Sequence, residues 1–259
     1  MPNHKAATAT VSYNRSQSMV YHPQKIIHKI NNRLQKIRLQ PIEVFLFHDI
    51  SDRFNPKTSL RQDWTSTQQF KQLILQFKTQ YQFIPLTQAY LKLNQNYFRT
   101  RKYAVLTSDD GFQSNLEILQ FLQQQQIPVT LFINPQYLDG KTIRSNYAPA
   151  PLYLTQQQLF NINSPLVTIG MHNFGHVDAT QQSPDEFKQS VAQCIEILSH
   201  HPRYIPYFAY PWGNYNDSTQ QILNQNHIIP LFCDGNTNYT YQGGISRKPI
   251  DSYYLTPKC

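Results

Sequence analysis

Charge is scarce in this chain. Only 15% of its 259 residues are Asp, Glu, Lys or Arg, against roughly 25% in an average soluble domain. Surface polarity must therefore come from uncharged side chains, and glutamine supplies it in runs such as Gln123–Gln126 and Gln156–Gln158. Cysteine is scarce too. Cys194, Cys233 and Cys259 are odd in number and share no CxxC spacing, which argues against a disulfide framework and a cysteine metal site. Two half-buried thiols and one on the terminus are expected. No window approaches the roughly 18 consecutive apolar residues of a membrane-spanning helix. The amino end has no apolar signal-peptide core, so either the protein stays inside the cell or its export segment is not part of this chain. Apolar residues are not lacking: they make up 40%, with 17 Tyr and 15 Phe. That excludes global disorder and suffices for the core of a single large α/β domain.

Acidic residues are missing altogether from positions 1–40, which carry Lys5, Arg15, Lys25, Lys29, Arg33, Lys36 and Arg38. The net charge of +8 would suit a nucleic-acid partner, but taking those seven from the 23 basic residues leaves 16 against 15 acidic ones in 41–259. The main domain is nearly neutral and no nucleic-acid partner is expected. Within the extension, Ile26, Ile30, Leu34 and Ile37 recur at helical spacing, and Pro41 ends the pattern. Residues 1–40 therefore read as a basic extension with an amphipathic helix. That helix either packs on the domain as a solvated face or contacts an anionic membrane or wall surface.

From Ile42 onward the texture alternates between strand and helix. Strands are predicted at Ile42–Phe47, Tyr103–Thr107, Val129–Ile133, Leu166–Gly170, Ile205–Tyr210 and Ile228–Phe232. Helix starts are marked by capping patterns at Ser183–Glu186, Ser114–Glu117, Thr155–Gln158 and Thr65–Gln68, with Asp217 expected to cap one more. Phe187, Val191, Cys194 and Leu198 form one apolar stripe, and Phe70, Leu73, Ile74 and Phe77 another. Such alternation predicts a parallel sheet, either closed as a barrel or open and doubly wound.

Five of the predicted strands end in polar groups. These are His48-Asp49, Ser108-Asp109-Asp110-Gly111, His172-x3-His176, Tyr210-Pro211-Trp212-Gly213 and Asp234-Gly235. In a β/α barrel such ends converge on one face. Neighbouring side chains at a strand end diverge, so one carboxylate of Asp109-Asp110 could bind a cation while the other acts as a base. Two histidines and one carboxylate leave open positions on a catalytic Zn²⁺. His48 could donate a proton. Tyr210 and Trp212 could pack as core and turn, or wall a sugar site.

Thr107–Gly111, His172-x3-His176 and Tyr210–Gly213 together resemble the polysaccharide deacetylase domain, carbohydrate esterase family 4, in order and spacing from about residue 42 to 250. The resemblance implies a distorted (β/α) barrel over residues 41–259 that removes acetyl groups from N-acetylglucosamine polymers with one divalent ion, Zn²⁺ foremost. It implies Asp109 as general base, Asp110, His172 and His176 as metal ligands, and the Trp212 backbone N–H at the oxyanion. Val44–Ile50 and Ile245–Ile250 are similar to the branch acting on poly-β-1,6-N-acetylglucosamine of biofilm exopolysaccharide, where an amino-terminal histidine serves the active site. That role would fall to His48. Peptidoglycan or chitin deacetylases, small-amide hydrolases and weakly active glycan-binding relatives are the alternatives. The resemblance also implies an extracellular or cell-surface place, and a monomer is expected. Ser108 stands where the family has Phe, Asn173 where it has Ser or Thr, and Ala209 near its base-orienting arginine. No Leu-x-x-His follows Trp212. Arg247 is the candidate substitute for the arginine, and Asp234 a candidate supporting residue.

Overall fold

The computed structural model describes residues 40–52, 64–95, 99–140 and 152–250. Residues 1–39 of the predicted extension, with its amphipathic helix, and Cys259 lie outside the described residues. In chain order the elements are β1 (Ile42–Phe47), β2 (Asp49–Ile50), β3 (Trp64–Thr65), α1 (Thr67–Gln80), β4 (Gln82–Phe83), α2 (Leu86–Asn94), β5 (Tyr103–Ser108) and α3 (Asn115–Gln124). Then come β6 (Val129–Ile133), α4 (Gln156–Phe160), β7 (Val167–Met171), α5 (Pro184–Leu198), β8 (Tyr204–Ala209), α6 (Asp217–Gln225), β9 (Ile229–Phe232), β10 (Ile245–Ser246) and β11 (Lys248–Pro249).

Eight parallel strands run in the order β10-β9-β8-β7-β6-β5-β1-β11, with β4 branching from β5. The two ends of this path, β10 and β11, are consecutive in the chain and separated only by Arg247. The sheet is therefore a nearly closed barrel rather than an open sheet, and Arg247 sits in its seam. Its backbone N–H donates to the Phe232 carbonyl at 3.0 Å, and its own carbonyl accepts from the Gly235 N–H at 3.1 Å.

Period-two alternation sorts the side chains. Ile42, Val44, Val105, Phe132, Tyr207, Ala209, Leu231 and Ile245 share one cluster inside the barrel. Phe45, Phe47, Leu106, Leu131, Ile169, Phe208 and Tyr210 face outward under the helices. On α1, Phe77 stacks on Phe45 at 4.4 Å and Phe70 leans on Phe47 at 4.8 Å. Each such fully buried side chain contributes about 1.5–3 kcal/mol. Gly170 leaves room for Phe132: a Cβ there would lie 2.5 Å from the ring and 3.1 Å from the Tyr207 carbonyl oxygen.

The Ser183 and Thr155 capping boxes form as the spacing predicts. Three other helix starts differ. Thr65 is taken into β3, so Ser66 caps α1 and accepts from the Gln69 N–H. Asn216 rather than Asp217 caps α6, with Thr219 as its reciprocal partner. Ser114 makes no cap bond and donates its hydroxyl to Asp49 Oδ1 at 2.6 Å instead. Strands β7 and β8 are offset by one residue from their predicted bounds, and β9 starts one residue late. Cys194 is buried, but Cys233 is exposed rather than half-buried. No helix among the described residues is long and apolar enough to cross a membrane.

Candidate active site

The carboxyl ends of β1, β5, β7, β8 and β9 carry the polar groups. Asp109 continues the inward-facing series Val105, Thr107 of β5 and is buried at 2% exposure. Arg247 reaches it from the seam: Nη1 donates to Oδ1 at 2.7 Å and Nη2 to Oδ2 at 2.9 Å. The guanidinium lies 5.3 Å from the Phe132 ring centre and is itself fully buried. Burial opposes ionisation of Asp109, but the charges of Arg247, His172 and His48, with the Arg247 hydrogen bonds, outweigh it and hold the carboxyl below the usual range. Asp109 is thus a fixed carboxylate at neutral pH.

Asp110 adopts a left-handed backbone, φ 69°, followed by Gly111 at φ 77°. The chain thereby turns, and the two adjacent carboxylates part. A Cβ on Gly111 would also come within 2.9 Å of Ile133 Cδ1, so this turn requires glycine. Asp110 Oδ1 lies 3.3 Å from His172 Nε2 and 3.0 Å from His176 Nε2. Burial again opposes ionisation, and the two histidines hold this carboxyl well below the ordinary value.

The histidine loop is tied down at most of its polar atoms. His172 Nδ1 faces the Ala209 carbonyl at 2.9 Å, an acceptor, so Nδ1 carries a proton and Nε2 is the ring nitrogen turned toward Asp110. Asn173, at φ 58°, tolerates the left-handed region better than most residues. Its amide donates to the Val177 carbonyl and to Gln182 Oε1, both at 2.8 Å. Asn134 at the end of β6 accepts the Gly175 N–H at 3.0 Å. Of six non-glycine residues with positive φ among the described residues, Asp110, Asn173, His176 and Trp212 all lie here, a concentration of backbone strain typical of functional sites.

Asp110, His172 and His176 form a buried cluster whose ligand atoms lie within 4.8 Å of one another. Asp110 Oδ1 and the two Nε2 atoms converge closely enough to share one cation. One hard oxygen and two imidazole nitrogens suit a divalent ion of the zinc type, so the donor set fits the metal that the sequence leads one to expect. The Nδ1–carbonyl bond of His172 is the kind of outer contact that orients such a ligand.

Other expected residues fall as follows. His48 directly follows β1, half-buried, and its charge bears on both Asp109 and Asp49. Trp212 is 59% exposed, and its ring meets His176 edge-on at 5.1 Å. Tyr210 is a correction to the sugar-wall reading: it is 1% exposed, facing outward from the barrel among Phe208, Tyr215 and Phe232 under the helices. Asp234 is exposed at the rim, accepting from the Ser246 hydroxyl at 2.9 Å beside the seam. Two contributors escaped the sequence reading. Asn115 donates to the His48 carbonyl at 2.8 Å and to Ser108 Oγ at 2.9 Å, and accepts from the Ile50 N–H at 3.2 Å. Asn214 donates to Asp178 at 2.7 Å and bridges the Trp212 and His176 loops. Asn115 directly follows the supposed cap Ser114, and that position was the only hint.

A description of the family called polysaccharide deacetylase matches residues 97–229, just over half of the chain. No curated protein matches. Among solved structures, the Streptococcus pyogenes deacetylase PplD in complex with acetate is 21% identical, with a TM-score of 0.65 over 82% of this chain and 93% of that one. IcaB from Ammonifex degensii is 18% identical, with a TM-score of 0.68 over 85% and 94%. A de-N-acetylase from Aggregatibacter actinomycetemcomitans is 15% identical, with a TM-score of 0.63 over 81% and 94%. These likenesses establish the shared barrel, while the family match spans both carboxylates, both histidines and Trp212. The chain belongs to the polysaccharide deacetylase family.

Proposed function

We propose that residues 41–259 form a divalent-metal-dependent N-deacetylase acting on N-acetylglucosamine units of a polysaccharide, foremost poly-β-1,6-N-acetylglucosamine of biofilm matrix. The observation that carries this is the separation of two adjacent carboxylates: Asp109 is gripped by Arg247, and Asp110 is turned to His172 and His176. Two of the similar structures, one a deacetylase in complex with acetate and one a de-N-acetylase, agree with acetyl removal. The β-1,6 linkage rests on the likeness of Val44–Ile50 and Ile245–Ile250 to that branch.

Asp110, His172 and His176 would hold the ion, which when bound supplies Lewis acidity toward the amide carbonyl and lowers the pKa of water. Asp109 takes the proton from the attacking water. Arg247 occupies one lone pair on each of its oxygens and leaves the others available. The Trp212 backbone N–H stabilises the oxyanion. His48 protonates the departing amine, releasing glucosamine and acetate. The exposed Trp212 indole offers a flat apolar surface to a sugar ring. The enzyme acts as a monomer outside the cell or at its surface, with residues 1–40 contacting an anionic surface.

The test is acetate release from β-1,6- and β-1,4-linked N-acetylglucosamine oligomers, with and without chelator. Metal-dependent release favouring the β-1,6 series supports the whole reading. Preference for β-1,4 would move the substrate to chitin or peptidoglycan, and no release from either would remove the activity.

A further inference from the structure

The chain segment after the histidine loop borders a second concavity. Val177, Gln181 and Gln182 form one wall; Gln189, Ser190 and Gln193 of α5 form the other, around about 390 Å³. That volume falls in the range of small-ligand clefts, about 300–1,000 Å³. With Glu186, the α5 positions are spaced three and four apart, hence one stripe along the helix. Because α5 follows β7, its amino end begins on the face where the strand ends carry Asp110, His172 and His176. Val177 is the next residue after His176, so the groove borders the loop that carries the proposed metal ligands.

Its lining is nearly uncharged. Glu186 is committed to the Ser183 N–H at 2.7 Å, and the neighbouring Lys188 and Asp185 pair with each other at 3.2 Å. What remains are carboxamides, a hydroxyl and the exposed Val177 methyls. Gln182 is fixed between Ser190 Oγ and Asn173 Nδ2, both at 2.8 Å, which links the groove floor to the residue beside His172. Carboxamides present donors and acceptors together, matching hydroxyl and acetamido groups, whereas the described residues lining the groove offer an anionic chain no cation.

We propose that this groove is a second binding site for neutral glycan, holding an acetylated stretch of the polysaccharide beside the units being deacetylated. The occupant rests on the deacetylase reading; the groove's chemistry does not. The experiment uses the full-length, metal-loaded protein and a Gln181→Ala/Gln189→Ala/Gln193→Ala variant, with unchanged thermal melting as the folding control. Calorimetry measures affinity for N-acetylglucosamine dimers and for long oligomers, and acetate release is followed on both. The lost neutral hydrogen bonds should weaken long-oligomer binding about 10-fold, raise KM for long oligomers with kcat unchanged, and leave dimer kinetics as they were. Equal affinity of variant and parent for long oligomers overturns the groove, as does an equal loss on dimers. If the parent binds long oligomers but releases no acetate, a weakened variant upholds the groove while the deacetylase reading falls.

Discussion

Replacing Arg247 with Met removes one half of a buried ion pair and leaves the other half in place. The guanidinium is fully buried and makes two short bonds to a carboxylate that is 2% exposed. Breaking such a pair from one side costs about 3–5 kcal/mol, because a charge is left in a medium that solvates it poorly. At about 2–4 °C per kcal/mol for a domain of this size, Tm should fall by about 6–20 °C. Acetate release should fall by about 10²- to 10⁴-fold, the usual contribution of a positioned base. The pH dependence carries a sign. In the parent, Asp109 is held below its ordinary value of about 3.9, so its contribution to stability is present above that value and lost as pH falls through the folded one. Without Arg247, burial is the largest remaining influence and pushes the carboxyl up. The folded variant then holds its proton longer than the unfolded chain and loses stability as pH rises.

Urea unfolding of parent and variant at several pH values measures this directly. The stability gap should widen from pH 4 to pH 8. Asp109→Asn/Arg247→Met, which removes both charges, should be more stable than the two single losses summed, with a coupling above about 1 kcal/mol. A gap independent of pH, together with additivity within about 0.5 kcal/mol, would refute the pairing as the source of the effect.

Zn²⁺ at about 100 times its Kd should stabilise the parent by about 2.7 kcal/mol, or about 5–10 °C in Tm; Asp110→Ala or His172→Ala should abolish that shift and the metal content measured after dialysis. Asp109→Asn should keep the metal and lose about 10²- to 10⁴-fold in turnover, and near-normal turnover would remove it as the base. His48→Ala should lower kcat and erase the basic limb of the pH–rate profile, and Asn115→Ala, which frees the His48 carbonyl and the Ile50 N–H, should shift that limb. A normal profile in Asn115→Ala would make Asn115 merely structural. His201 is buried, with Nε2 facing the Leu159 carbonyl and Nδ1 accepting the Arg203 N–H. Burial, with Arg203 nearby, depresses its pKa, so stability should drop as pH falls below about 6.5, where the unfolded chain takes up the proton first. His201→Gln should flatten that drop in urea melts.

The parts of the fold readable in the sequence are those with local causes. Alternation of apolar runs and capped helices predicts a parallel sheet, and polar groups at strand ends predict one reactive face. Closure is not local: it depends on β10 joining β9 while β11 joins β1, pairings no periodicity encodes. The displaced caps have a similar origin. Thr65 and Ser66 could each cap α1, and what decides is that Thr65 pairs with Ile50. Tyr210 was readable in principle. Ala209 and Tyr207 share the interior parity of β8, so Tyr210, one residue on, must face outward under the helices. A strand-end position alone suggests a site, while parity says which side of the sheet the ring occupies.

The seam gives Arg247 two tasks that the chain performs together. Its backbone links the ends of the sheet, bonded to Phe232 and Gly235 on the β9 side, and its side chain points inward to Asp109, 138 residues earlier. Ala209 lies near the position where the resemblance would put an arginine, yet its small side chain packs inside the barrel while its carbonyl receives His172 Nδ1–H. The partner of the proposed base can therefore come from the seam without displacing the contact that orients the histidine. Closing the barrel and charging Asp109 become one step: an open seam would leave Asp109 buried without its cation, where burial favours the neutral acid. Partly unfolded forms that have lost β10 and β11 should thus lack an ionised Asp109 even under conditions where Asp110, His172 and His176 would hold metal.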